Sequence, residues 1–332
     1  MLHGNNLFWF DPKQPQAYFA TPSIPQAYPK HHRGQQNCGR RVPGGAYHLT
    51  HQCQKRPQTT TPSEKAMNSF VTHDYHFHST LSACCHDERL LPSVALDHAA
   101  RCGYDAICLT DHLWDAEVPA ASNWYAPQNI EHVRSALPLP RHAGVQFFLG
   151  CETEYCGGTK LGLSRGHFDL FDFVVIPTTH MHMKGFVRPA ECVAEARMAE
   201  LYVERLEQLL LLDLPWNKIG IAHLTCGLLF VEGDVGWILR QLNETRLMRV
   251  FDTLARRGAG IELNAACMGS WNTDPDTWLR VFRMAKKAGC LFYASSDAHT
   301  VENLDLIPAI LPGVVDALGL DHKDRYRIPR ES

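Results

Sequence analysis

From Ser69 onward, short apolar runs alternate with longer stretches of helical period, the pattern of strands joined by crossover helices. The runs predict strands over 72–78, 104–110, 145–151, 171–176, 218–223, 260–264 and 291–295. Between them, Pro92 stands at a first turn and Gly103 just beyond the end of SVALDHAARC, and an amphipathic run over 189–212 is halted before Pro215. Further helices are predicted over 243–257 and 275–288. Seven or eight such units in about 250 residues fit a closed parallel barrel, whose active site lies at the carboxyl ends of the strands. An open doubly wound sheet is the alternative.

Residues 1–66 carry neither period. They are rich in Pro, Gln, Thr and His, repeat the tripeptide QAY, and hold eight Lys/Arg against Asp11 and Glu64, a net of +6. With −3 for the whole chain, the remainder carries −9. A segment this poor in patterned apolar residues buries too little to offset its ordering entropy, so a disordered leader, or upstream sequence included ahead of Met67, is expected.

Composition narrows the class. The 332 residues are 45% apolar and 20% charged, as in an ordinary globular protein. No run reaches the roughly 18 apolar residues of a membrane span, and the first residues lack a secretory pattern, so a cytoplasmic protein with no membrane partner is expected. Twelve cysteines without a C-x-x-C pair then read as reduced and mostly buried.

Metal-binding side chains recur just past the predicted strands. The first ends in His76 and His78, whose i, i+2 spacing aims both imidazoles at one volume. Later strands end at His112, Glu152, His180, His223, and the pair Asp297 and His299. One such histidine is more often structural than a ligand, but six of seven strand ends at one barrel mouth are hard to obtain by chance. Imidazole with carboxylate suits Zn, Mn or Fe rather than Mg or Ca.

The segments DYHFHS, LTDH, GCE, FDFVVIPTTH, IAH, IELNAA and SSDAH, in that order over about 70–300, resemble the PHP (polymerase and histidinol phosphatase) metal-dependent hydrolases. FDFVVIPTTH and the following LYVERLEQLL are most similar to the histidinol phosphatase branch. The resemblance implies a distorted (β/α)7 TIM-like barrel over 69–320, followed by a tail at 321–332, with a trinuclear centre of divalent transition-metal ions. It implies that His76, His78, Glu152 and Asp297 hold one ion, that Glu152 bridges to a second held by His180 and His223, and that His112 and His299 hold a third. The remaining ligand comes from the loop SACCHDERLLP, where Asp87 is favoured narrowly over His86. Cys84 and Cys85 read there as buried neighbours.

The activity implied is hydrolysis of a small phosphate monoester by metal-hydroxide attack on phosphorus, with His76, His78, Glu152, Asp297 and His299 as the catalytic set. Three carboxylates facing three divalent ions leave a net positive site that attracts phosphate. His182, Lys184 and Arg188 are candidates to grip the phosphate, and His182 to protonate the leaving alkoxide. Asp74 could orient a ligand imidazole, and Trp124 and Tyr125 could stack on the substrate. A nucleotidase or exonuclease is the alternative, although the acidic domain lacks a basic track for polymeric nucleic acid; a noncatalytic metal-binding module is a third reading. A chain beginning at Met67 should keep the melting temperature and metal content of the full chain. A large drop in a thermal melt would move the boundary.

Overall fold

The computed structural model describes residues 70–329, so the leader expected at 1–66 lies outside the described residues. Seven parallel strands follow one another in space as in sequence: β1 (His73–Phe77), β2 (Ala106–Leu109), β3 (Gln146–Thr153), β4 (Phe173–Pro177), β5 (Ile219–Ala222), β6 (Gly260–Asn264) and β7 (Leu291–Ser295). This is a nearly closed TIM-like barrel of the kind expected, not an open doubly wound sheet. β3 is the longest and staggers the sheet. Its first half pairs with β2, Ala106 opposite Gln146, and its second half with β4, Glu152 opposite Val175. A two-residue strand, His112–Leu113, then sets His112 directly opposite Glu152.

Between β7 and β1 no regular ladder forms, and side chains take its place. At the top, the backbone of Asp297 donates to His76 O (2.8 Å) and that of His78 to Ala298 O (3.0 Å). Below, the buried Asp74 carboxylate accepts from Ser296 N (3.0 Å) and Ser296 Oγ (2.6 Å), and His73 Nε2 accepts from Ala294 N (2.8 Å). Burial lifts Asp74 to about 7 in spite of those hydrogen bonds. Asp74 therefore closes the barrel; its carboxylate meets the backbone of His76, not the ring.

At the bottom, Phe292 N donates to Asp324 O and Tyr326 N to Phe292 O, each at 2.7 Å, so the segment expected as a tail packs along β7. Tyr326 enters the barrel interior with Tyr75, Phe148, Phe173 and Tyr293. Rings this large need space opposite: a Cβ on Gly220 would lie 2.5 Å from both Phe173 and Tyr293. Buried Arg325 reaches across the seam to Asp105 and Thr72.

The helices cover the outer face. α1 (Pro92–Arg101) starts at its proline as expected. The helix predicted over 189–212 is shorter, α2 (Glu195–Leu209), because the chain before it turns on itself, Gly185 N donating to Arg188 O at 2.7 Å. Asn243 caps the next predicted helix, Glu244–Arg257, and Gly258 ends it at φ 76°. The helix predicted over 275–288 is broken at Leu279 into Pro275–Trp278 and Arg280–Lys287. Among the described residues no helix is long and apolar enough to cross a membrane.

Arg325→Ala should destabilise the fold by about 1–3 kcal/mol, since it removes a buried cation that ties the closing segment to β1 and β2. At roughly 2–4 °C per kcal/mol for a chain of this size, a thermal melt resolves the change, and an unaltered melt would show that the segment does not help close the barrel.

Candidate metal centre

The mouth of the barrel depends on a bulge in β1. Asp74 is opposite Ile107 but Phe77 is opposite Leu109, so β1 spends three steps where β2 spends two. Tyr75 lies in the interior aromatic layer and Phe77 in the outer core. Strict alternation from Tyr75 would send His76 and His78 outward. The extra residue brings both imidazoles to the mouth instead, where their Nε2 atoms face each other at 3.2 Å.

Two buried carboxylates stand among them. Glu152 Oε2 lies 3.0 Å from His112 Nδ1, 3.4 Å from His78 Nε2 and 3.5 Å from His76 Nε2. Its other oxygen lies 3.3 Å from His223 Nε2 and 3.9 Å from His180 Nε2. Asp297 Oδ1 is 3.3 Å from His78 Nε2 and 3.6 Å from His76 Nε2, and Oδ2 is 3.7 Å from His223 Nε2. His299 lies beside His78, ring centroids 4.3 Å apart. The structure thus brings eight of the nine expected ligands to one mouth.

What holds each ring is a partner on its far nitrogen. Nδ1 of His76 meets Glu262 (2.6 Å), Nδ1 of His78 meets Ser82 Oγ (3.0 Å), Nδ1 of His180 meets Glu154 (2.6 Å) and Nδ1 of His299 meets the Asp297 carbonyl (2.9 Å). Each partner accepts a proton, which assigns the hydrogen to Nδ1 and leaves the Nε2 lone pair facing inward. Ser82 can accept because its own hydroxyl donates to Asp111 (2.7 Å). Glu262 ties three strands together, accepting also from His223 N (2.7 Å) and Ser295 Oγ (2.8 Å). Tyr125 OH donates to Glu154 (2.6 Å), so this loop residue, expected at the substrate, braces His180 instead.

Two of the side chains sit on strained backbone. His223 has φ 63° and Asp297 φ 51°, in the left-handed region that costs a residue with a Cβ about 1–2 kcal/mol. Both follow a strand end, and both are locked: His223 N donates to Glu262 while its carbonyl accepts from Thr179 Oγ1 (2.6 Å), and Asp297 N donates to His76 O. Sharp turns here carry the side chains over the barrel axis, a use of strain that recurs at functional sites.

The electrostatics call for positive charge. Burial opposes charge on Glu152, yet His112 and His76 hold its carboxyl well below the usual carboxylate range; His76 and His223 do the same for Asp297. Burial pulls His76 down, but Glu152, Asp297 and Glu262 outweigh it and push the imidazole up to about 10. Protons on the rings stand where cations are wanted. His112 Nδ1, His180 Nε2, His223 Nε2 and Glu152 Oε1 are buried without a hydrogen-bond partner. Orphaned lone pairs of this kind, on imidazole and carboxylate converging within 4.8 Å, are what transition-metal ions satisfy.

Asp87, expected as the loop ligand, does not join the cluster. Its carboxylate accepts from Arg89 Nε and Nη2 (both 2.8 Å) and from Val301 N (3.0 Å), turned away by the cation two residues on. His86 is exposed. Cys84 comes in instead, its sulfur 3.0 Å from His299 Nε2 and grouped with His78 and His112. Burial works against its ionisation, but His112 and His299 bring the thiol down to about 7. Arg188, expected at the phosphate, is buried and bidentate to Glu232 (2.7 and 3.0 Å). His182 and Lys184 remain exposed on the same loop, His182 with its ring 5.6 Å from that of His180. Trp124 is part-exposed at the mouth, 5.1 Å from the His112 ring.

No family model and no curated protein matches the chain. Among solved structures it is similar to the histidinol phosphate phosphatase of Lactococcus lactis, solved with zinc, L-histidinol and phosphate (15% identity, 77% of this chain and 99% of that one, TM-score 0.49). It is also similar to a protein of Listeria monocytogenes provisionally described as a histidinol phosphatase (13% identity, 70% and 96%, TM-score 0.50). The chain has the fold of the PHP histidinol phosphatases. In this barrel the ligand-type side chains gather at the strands' carboxyl ends. Glu152→Gln should cost the protein part of its metal, read by elemental analysis, while Asp87→Asn should leave metal content unchanged. Equal metal in wild type and the Glu152 variant would remove Glu152 from the ligand set.

Proposed function

We propose that the protein is a metal-dependent phosphoesterase that hydrolyses a small phosphate monoester, with histidinol phosphate the first substrate to try. The observation that carries the reading is the buried convergence of inward-facing imidazole nitrogens on Glu152 and Asp297, with four of those rings oriented from behind. Three divalent ions are proposed: one at His76, His78, Glu152 and Asp297, a second at Glu152, His180 and His223, and a third at His112 and His299. Bound there, such ions would lower the pKa of water toward neutrality and offset charge on phosphoryl oxygens.

The chain's own groups supply the rest. Glu262, Glu154 and Ser82 keep the rings oriented, so little reorganisation is left to the reaction. Trp124 offers an apolar edge at the mouth against which a flat group such as an imidazole can lie. Lys184 is the candidate to attract the phosphate dianion. His182, whose imidazole is pushed down to about 3 by desolvation at the mouth and by the rings of His180 and His223, would need the phosphate's negative charge beside it before it could give a proton to the departing alkoxide. Arg188 has no part in this scheme, because Glu232 already occupies its guanidinium.

Metal-replete protein should release phosphate from members of a monoester panel. Asp297→Asn and His78→Ala should abolish turnover. Glu262→Gln should lower it by about 10- to 100-fold through the orientation of His76, and Lys184→Ala should chiefly raise KM. Cleavage of oligonucleotides from an end with no monoester activity would favour the nuclease reading. Inertness toward both in metal-loaded protein would favour the noncatalytic one.

A further inference from the structure

The loop after β1 has one inward-pointing group that the expected ligand pattern does not contain. Cys84 is held by its neighbours on both sides. Ser82 accepts from His112 N (2.9 Å) and donates to Asp111, Ala83 N donates to Gln128 Oε1 (2.9 Å), and Cys85 N donates to Ser82 O (2.9 Å) while its thiol donates to His299 O (3.3 Å). Between these anchors the Cys84 sulfur lies 3.0 Å from His299 Nε2, and the candidate ligand atoms of His78, Cys84, His112 and His299 lie within 4.8 Å of one another. Asp87, the nearest carboxylate of the loop, is committed to Arg89 and Val301. On this side of the mouth the loop offers sulfur and no carboxylate oxygen.

We propose that Cys84 is a thiolate ligand of the third metal position, with His112 and His299, and that it makes this position select zinc or cobalt(II) over manganese. The inference rests on the metal-centre reading above and deepens it. A thiolate carries the same single negative charge as the expected aspartate, so the charge of the centre is unchanged while its hardness is not. Thiolate donors favour soft and borderline ions, whereas Mn²⁺ prefers carboxylate and water. The adjoining position at His76, His78, Glu152 and Asp297 has no sulfur, so the two positions differ in the ions they accept.

Cobalt(II) tests this without relying on turnover. The intact protein, stripped with chelator and reloaded with cobalt, should show a thiolate-to-cobalt charge-transfer band in the near ultraviolet. Cys84→Ser should lose that band and one cobalt equivalent by elemental analysis, keeping the remainder; Cys84→Asp should regain the ion, lack the band and accept manganese there. Cys226 and Cys267, grouped with His223, could also give such a band, so the band must persist in the Cys226→Ser/Cys267→Ser double variant and be lost when Cys84 is replaced. Should Cys84→Ser not fold, iodoacetamide labelling of the unaltered protein gives the answer by peptide mass spectrometry: the Cys84 peptide should be protected with cobalt bound and labelled after chelation. Cobalt-loaded protein with no thiolate band, or with Cys84 labelled equally in both states, would overturn the proposal and leave the phosphoesterase reading standing. Protein that binds no cobalt at all would overturn both.

Discussion

Two carboxylates, Glu152 and Asp297, are removed from water at the centre of the barrel mouth, and the surrounding structure is arranged to tolerate them. An isolated buried carboxylate costs several kcal/mol, so it needs cations or donors at close range. Imidazoles meet that need from β1, from the ends of β4 and β5, and from the loops beyond β2 and β7. The stagger of β3 that sets His112 opposite Glu152, and the bulge that turns His76 and His78 inward, both answer to the same buried charge.

A second ring of residues converts this cluster from an ion pair network into a directed site. If the rings turned freely, each would lend either nitrogen to the carboxylates and the centre would settle as mutual salt bridges. Glu262, Ser82, Glu154 and the Asp297 carbonyl remove that freedom by holding Nδ1. The energetic cost of keeping His223 and Asp297 at positive φ is offset by hydrogen bonds that His223 N donates to Glu262, Asp297 N donates to His76 O and Thr179 Oγ1 donates to His223 O, so order at the mouth is drawn from the strands beneath it.

Most of this plan was readable in the chain because barrel chemistry lies at strand ends and strands announce themselves as apolar runs. All seven predicted strands are present, and eight of the nine expected ligands meet. What was hidden depends on contacts between segments far apart in sequence. The sequence places Asp87 in the loop after β1, but the pairing with Arg89 that turns it away is a matter of side-chain direction. The helix Leu306–Leu318 escaped notice because Pro308, Pro312 and Gly313 punctuate it, yet burial of Ile307, Leu311, Val314 and Val315 holds it helical. Nothing in the local pattern marked 324–326 as the closing edge, since its partners Phe292, Asp105 and Thr72 come from three separate segments. Cys84 looked like an ordinary buried thiol for the same reason.

The seam has a consequence for how the molecule comes into being. Its two sides belong to the first and last strands, and the ligand-type residues run from His76 to His299. During synthesis the early imidazoles leave the ribosome long before Asp297 and His299 exist to face them, and the lower edge waits longer still for Tyr326. A half-made barrel therefore exposes a histidine-rich strand edge with no counterpart, open to the wrong ion or the wrong neighbour. High sequence separation of this kind slows folding. The cluster at the mouth is thereby complete only when the polypeptide is, and before that its imidazoles face no carboxylate from the last strand.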